Sequence, residues 1–493
     1  MIAAGKTKKW RPATAEIAVL AAFAISRILY YWAGIRFDAA RVVENWQYID
    51  PTLMQHRLFE SLYYLHMQPP GFNLAIGLVV KLFPNSYGTV LQICYIAMGV
   101  AIALALLRLL RLLRVNEWAA AVLTILFTVN PGCVLYENLA IYEYPILLLL
   151  LAAAITLFRL VQEPSVMRSI GFYACICGLV MIRNQFHLVY VVLITIVLLA
   201  VMGNARKAVL AGSLPVIALI LALYVKNWIL FGAFTASTWA GMNTGVITTF
   251  QLTPEEADRL VKSGIVTPLA KIPPFSGLNL YAGIVELAPK TGIPVLDEEG
   301  TQFHPNFNNP TYLKLADLYV ANSKAILRHY PQAYLRSVVI AWFTYFLPTS
   351  DMHSFDIQRR NIHTFDRVFN TVFFGQFRTV DDRRQLRVIK ASGKGFTLPL
   401  YTGTFLIVIL PALMLWAVAQ LGVRRLRERL TTEEAVVLGF MVFTILFVTA
   451  VSNLLSSFEN NRYRFIVDGY YTALAGMAIT AILARWRGWK AQE

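Results

Sequence analysis

The sequence predicts an all-α polytopic membrane protein, and three observations carry that reading. Of its 493 residues, 57% are hydrophobic and only 15% are charged, where a soluble domain is about 45–50% apolar. Mean hydropathy is +0.56. Apolar runs of about 20 residues recur along the chain, each long enough for a bilayer core of roughly 30 Å. The net charge of +16, from 44 Lys and Arg against 28 Asp and Glu, would suggest nucleic acid in a soluble protein. Here the basic residues read as cytoplasmic flanks of membrane helices and contacts to anionic lipid, with no nucleic-acid partner. Cys94, Cys133, Cys175 and Cys177 lie in or beside apolar runs. They read as small buried residues, not as a disulfide or zinc framework.

The first element is basic KTKKWRP followed by the apolar run 15–34. The length of that run, Arg27 inside it and the lack of a small-residue cleavage site favour a retained helix over a signal peptide. Basic clusters at 108–114, 159–168, 206–207 and 424–429, with both ends of the chain, mark the cytoplasmic side. Placing them inside predicts crossings near 14–34, 88–108, 117–135, 144–160, 168–183, 185–203, 207–230, 398–421, 433–455 and 464–484. The apolar segments 70–83 and 333–347 are too short to cross upright. Adding them as partial insertions makes a bundle of about 10–13 helices. The expected domains are a membrane core over 1–231 containing a first outside loop at 35–70, a large extracytoplasmic loop over 232–334, an interfacial basic region over 335–397, and C-terminal membrane helices over 398–493.

The first outside loop is the stretch around which the chain is organised. It carries Asp38, Glu44, Asp50 and Glu60, the residues His56 and His66, and the HMQPP step. Trp46, Tyr48, Tyr63 and Tyr64 suit amphipathic helices lying at head-group level. In the large loop, TPEEADRL reads as a helix capped by Thr253, among turns such as KIPPFSG and HPNFNNP.

Three loops bring carboxylates to one membrane face: Asp38 in the first, Glu137 and Glu143 in LYENLAIYEY, and Glu459 in SSFENNRYRF. A carboxylate at the edge of a low-dielectric region is costly unless it is paired or used. Each has an ordinary alternative as an interfacial charge at a helix end. Arg183 in MIRNQFH, Arg462 and Arg464 fall on the same face, with Lys226 near them in the linear map, where positive-inside topology asks for no arginine. Guanidinium forks suit phosphate oxygens; snorkelling to lipid head groups is the alternative. His66 and Gln68 either line the site or belong to a proline-started helix. Carboxylates suit Mg²⁺ or Mn²⁺, but no metal-spacing motif occurs, so no metal ligand is assigned and a divalent cation is left as an optional cofactor. Neither GxSxG, HExxH nor a Gly-rich phosphate loop is present.

Taken in order, these motifs resemble the GT-C superfamily of polytopic glycosyltransferases. The similar branch includes protein mannosyltransferases and bacterial lipid A aminoarabinose transferase. The resemblance rests on FDAARVVENWQY after the first helix, HMQPPGFNLAIGLVVKLFP, YEYP, MIRNQFH, the approach NWILFGAFTASTWAGMNTG to the large loop, and ENNRYRF before the last helix. Two departures stand out: Asp38 is followed by Ala where the family often has a DE or DxD pair, and the late RYR is followed by Phe where the family usually has Pro. The resemblance implies a sugar donor on a polyprenyl phosphate, a lipid, glycan or protein acceptor, and inversion at the anomeric carbon. It implies Asp38 as general base, Glu143, His66 and Gln68 around the substrate, and Arg183, Arg462 and Arg464 near the leaving phosphate. It also implies an active site on the extracytoplasmic side of a bacterial cytoplasmic membrane. The competing class is a transporter or flippase of a lipid-linked sugar, which would place its charges mid-membrane in broken helices and repeated halves.

Overall fold

A computed structural model describes residues 12–298, 305–376 and 404–490. The basic N-terminal segment and residues 377–403 of the basic region lie outside these. Regular structure among the described residues is helical. Among the described residues the sole β-type contact is one parallel bridge between Asp38 and Leu139.

In chain order, α1 (Pro12–Trp32) is followed by the first loop, which contains α2 (Pro51–Tyr64), and then by α3 (Gly71–Leu82). Next come α4 (Tyr87–Leu112), α5 (Glu117–Val129), α6 (Pro131–Glu137), α7 (Glu143–Gln162), α8 (Val166–Ile182), α9 (Leu188–Val201) and α10 (Arg206–Phe231). The middle of the chain adds α11 (Trp239–Ile247), α12 (Pro254–Lys262), α13 (Thr311–His329), α14 (Gln332–Tyr345) and α15 (His363–Phe374). Last are α16 (Leu406–Gly422), α17 (Thr432–Leu455), α18 (Asn460–Phe465) and α19 (Asp468–Lys490).

Among the described residues, five helical stretches are long and apolar enough to cross a membrane: 14–32 in α1, α4, α7, 203–231 ending in α10, and α17. The α5–α6 pair would make a sixth, bent by 58°. Helices α3, α8, α9 and α16 are apolar but have 12, 17, 14 and 17 residues. Those lengths fall below the roughly 20 residues of an upright crossing, so length and composition identify fewer spans than the charge clusters suggest.

The expected 117–135 helix breaks at Asn130. Its side chain accepts from the Gly132 N–H at 2.7 Å and starts α6, with Pro131 at the first position. The break frees backbone carbonyls, and α1 takes them. Arg27 Nη1 donates to Thr128 O at 2.7 Å, and the Tyr30 hydroxyl donates to Val129 O at 2.9 Å. Arg27 also forks onto the buried Glu137 through Nε and Nη2, at 2.9 and 2.6 Å. Tyr144 adds a hydroxyl to the same carboxylate.

Helix α7 sits at the centre, packed on α4, α8 and α17. Its buried Ala153 and Ala154 let neighbouring backbones approach, as small residues do in lipid-embedded bundles. At one end of the bundle Arg111 pairs with Glu16 and Glu117, and Arg114 with Glu434, so the basic clusters before α5 and after α16 meet. At the other end the long loops gather. Asn361 donates to Gly34 O, and the Thr238 N–H donates to His66 O. In the large loop, α12 has the predicted cap, with Thr253 and Glu256 bonded reciprocally. Glu256 also accepts from Arg336 and Tyr330. Helices α11 and α13 touch where a side chain on Gly241 would strike the Ala316 carbonyl.

Candidate functional site

A cleft of about 1020 Å³ opens where the loops gather. Its walls come from residues 41–47 of the first loop, 239–275 of the large loop, 352–354 and 456–463. These pieces are far apart in sequence and are fixed by buried hydrogen bonds. In the first loop, Asn73 of α3 accepts from Ile49 N–H at 2.8 Å and donates to Gln47 O at 3.1 Å. The Tyr48 hydroxyl donates to Ala140 O at 2.9 Å.

Behind one wall lies a compact charge cluster. Glu143 starts α7 and is wholly buried. Its carboxylate faces the positive end of the helix dipole and two arginines. Arg183, which ends α8, donates from Nη1 to Glu143 Oε1 at 2.5 Å. Arg462 Nε lies 2.7 Å from the same oxygen, an ion pair out of line for a hydrogen bond. Arg462 also donates from Nη1 to Glu459 Oε2 at 3.0 Å and from Nη2 to the Tyr142 hydroxyl at 2.7 Å. The Arg183 guanidinium lies over the rings of Tyr142 and Tyr463, 4.6 and 4.5 Å from their centroids. Burial disfavours the charge on Arg462, but Glu143, Tyr142 and Glu459 outweigh it and hold its pKa well above the usual arginine value. Two arginines balance two glutamates, so the cluster is close to neutral. Arg462 and Glu459 line the cleft, whereas Glu143 and Arg183 stand behind them.

Asp38 is half-buried at the rim. Its N–H donates to Asn138 O at 2.8 Å, which pairs it beside Leu139, four residues before Glu143. Its Oδ1 accepts from Ala40 N–H at 3.1 Å, and its Oδ2 lies 3.4 Å from Arg41 Nε. Arg41 lines the cleft and Asp38 does not, so the carboxylate stands at the cleft edge beside its partner.

The other expected site residues are placed elsewhere. His66 is fully buried between loops. Its Nε2 donates to Asn308 O at 2.9 Å, which leaves Nδ1 to accept from the Thr238 hydroxyl at 2.8 Å. Asn308 Oδ1 also accepts the His66 N–H. Burial pulls the His66 pKa down to about 4. Gln68 is half-buried in the same turn and is not a cleft residue. Arg464 is buried, donating to the carbonyls of Tyr345 and Leu347 at 2.5 and 2.8 Å and to Asp468 at 3.1 Å. It closes the C-terminus of α14. Lys226 donates to Leu65 O at 2.7 Å. Glu143, Arg183 and Arg462 thus come together, Asp38 stands beside Arg41, and His66, Gln68 and Arg464 join none of them.

Sequence reasoning passed over Arg41, whose only signal was its three-residue spacing from Asp38. It also passed over a buried network in which Arg359 grips Asp351 and Asp366, the latter at 2.5 Å. That network lies within the basic region, next to the cleft residues Met352 and Ser354. Among the described residues no group of three His, Cys, Asp or Glu side chains is placed to hold a metal ion.

No family model matches this chain, and no curated protein matches it in sequence.

Proposed function

We propose that this chain is an integral membrane glycosyltransferase that moves a sugar from a polyprenyl phosphate carrier to an acceptor outside the cytoplasm. The observation that supports it is the cleft at one end of an apolar helical bundle. That cleft combines a guanidinium anchored on a buried carboxylate, Arg462 on Glu143, with an acid–arginine pair at its rim, Asp38 with Arg41. In this reading the bundle is GT-C-like, and the shorter apolar helices α8, α9 and α16 also cross by locally thinning the bilayer. The loop end faces away from the cytoplasm of a bacterial cell.

The acceptor hydroxyl gives its proton to the Asp38 carboxylate as its oxygen attacks the anomeric carbon. The bond from that carbon to the phosphate oxygen breaks, and its electron pair leaves with polyprenyl phosphate. Attack opposite the leaving group inverts the anomeric centre. Arg462, already fixed by Glu143, Glu459 and Tyr142, stabilises the leaving phosphate without reorganising. Arg183 holds Glu143 in place and acts through it.

The test is a transfer assay in liposomes with radiolabelled polyprenyl-phosphate sugars and Asp38→Asn as control. Release of polyprenyl phosphate by wild type alone supports the reading. If neither protein consumes donor but wild type moves a fluorescent lipid-linked sugar between leaflets, the chain is a flippase.

A further inference from the structure

One side of the cleft differs from the charged side. Trp46, 45% exposed, stands at the first-loop edge, and Trp239 and Phe275 of the large loop continue the wall. The rings brace one another. Trp46 meets Phe307 at 5.5 Å and Phe275 edge-on at 6.2 Å; Trp239 meets Phe275 at 4.9 Å and Phe307 at 5.5 Å. Phe275 follows the two prolines of KIPPF and holds φ at +63°, left-handed backbone that a bulky residue rarely adopts. Such strain gathers at binding sites and is kept by the surrounding structure. Three amide side chains, Asn45, Gln47 and Asn243, line the cleft with these rings.

Two buried polar atoms on this wall lack a partner among the described residues: Gln47 Oε1 and the Trp239 indole Nε1. Buried polar groups are otherwise nearly always satisfied. An acceptor and a donor left unmade beside one aromatic wall fit a ligand that brings both kinds of group. A rigid indole offers a broad contact face at little entropic cost, with an electron-rich surface that attracts C–H edges. Sugar rings present such C–H faces, with hydroxyls around the rim that both donate and accept. A prenyl chain would leave the amides desolvated and unpaired.

We propose that the wall formed by Trp46, Trp239 and Phe275 with Asn45, Gln47 and Asn243 is a glycan-binding subsite. It rests on the transferase reading and makes the acceptor a saccharide rather than a peptide or a lipid tail. The sugar to be glycosylated lies on the Trp46 face, with its hydroxyls toward the amides. The charged side, with Arg462, is left to the donor phosphate.

Donor-free binding tests the subsite independently of catalysis. Purified protein in detergent is titrated with neutral oligosaccharides released from envelope polysaccharide by mild acid, and with a tryptic peptide mixture as comparison. Tryptophan emission is the readout. The expected result is a saturable change with the oligosaccharides alone. It is absent in Trp46→Ala and needs roughly fivefold more ligand in Asn243→Ala, the loss of about one hydrogen bond. An unaltered response in Trp46→Ala, or saturation by peptides instead, overturns the proposal. So does the absence of any response to oligosaccharide from a wild type of normal thermal stability. If oligosaccharide binds through Trp46 while no donor is ever consumed, the transferase reading fails and the subsite stands.

Discussion

Glu143 and Arg462 lie 2.7 Å apart across the boundary between protein interior and cleft, the carboxylate wholly buried and the guanidinium at the wall. The resemblance implies Glu143 around the substrate; in the structure its carboxylate carries two arginines.

Glu143→Gln should therefore act on stability first. It leaves Arg183 and Arg462 with one carboxylate, Glu459, between them. Breaking a buried pair in this way costs about 3–5 kcal/mol. Thermal unfolding in detergent should show a marked fall in Tm, together with lost donor turnover. A stable, inactive variant would instead make Glu143 a direct substrate contact.

Asp38→Asn should do the opposite. The bond that pairs Asp38 with the 138–141 segment runs from its main-chain N–H and survives the substitution. Tm should stay within a degree or two of wild type while transfer falls on the order of 10² to 10⁴, the usual contribution of a general base. Retained turnover would remove Asp38 from the mechanism.

His66 predicts a pH dependence of stability. Its folded pKa is about 4, against an ordinary value near 6.5. The unfolded chain then binds the proton more readily, so stability is full above pH 6.5 and declines between pH 6.5 and 4. The total is roughly 3 kcal/mol for a shift of this size. Tm measured across that interval should fall more steeply for wild type than for His66→Gln. Parallel slopes would show that other groups set the acid limit.

Arg464→Lys should lower Tm without changing donor preference. The guanidinium spans two carbonyls and Asp468, a fork that an ammonium cannot reproduce. About 1–3 kcal/mol is expected. A selective loss of donor affinity at unchanged Tm would return Arg464 to the phosphate site.

The sequence made the helical class legible because apolar runs and basic clusters are local signals. The Thr253–Glu256 cap could be read because both partners lie within one turn. The convergence of Glu143, Arg183 and Arg462 could be suspected only as three charges on one face, since their pairing joins α7, α8 and α18. The break at Asn130 was missed although Asn-Pro marks it, because the apolar run continues across it. His66 and Arg464 carry the same side chains a binding site would use. Only their partners, the carbonyls of Asn308, Tyr345 and Leu347, reveal a structural task, and no sequence pattern encodes those.

The seam between α1 and the α5–α6 break bears on biogenesis. An arginine alone within a span costs up to about 3 kcal/mol at its centre on insertion scales, and Arg27 has no acidic partner until Glu137 arrives 110 residues later. Integration of the first span should therefore depend on residues 117–137, and Glu137→Ala should appear as chains whose first span fails to integrate.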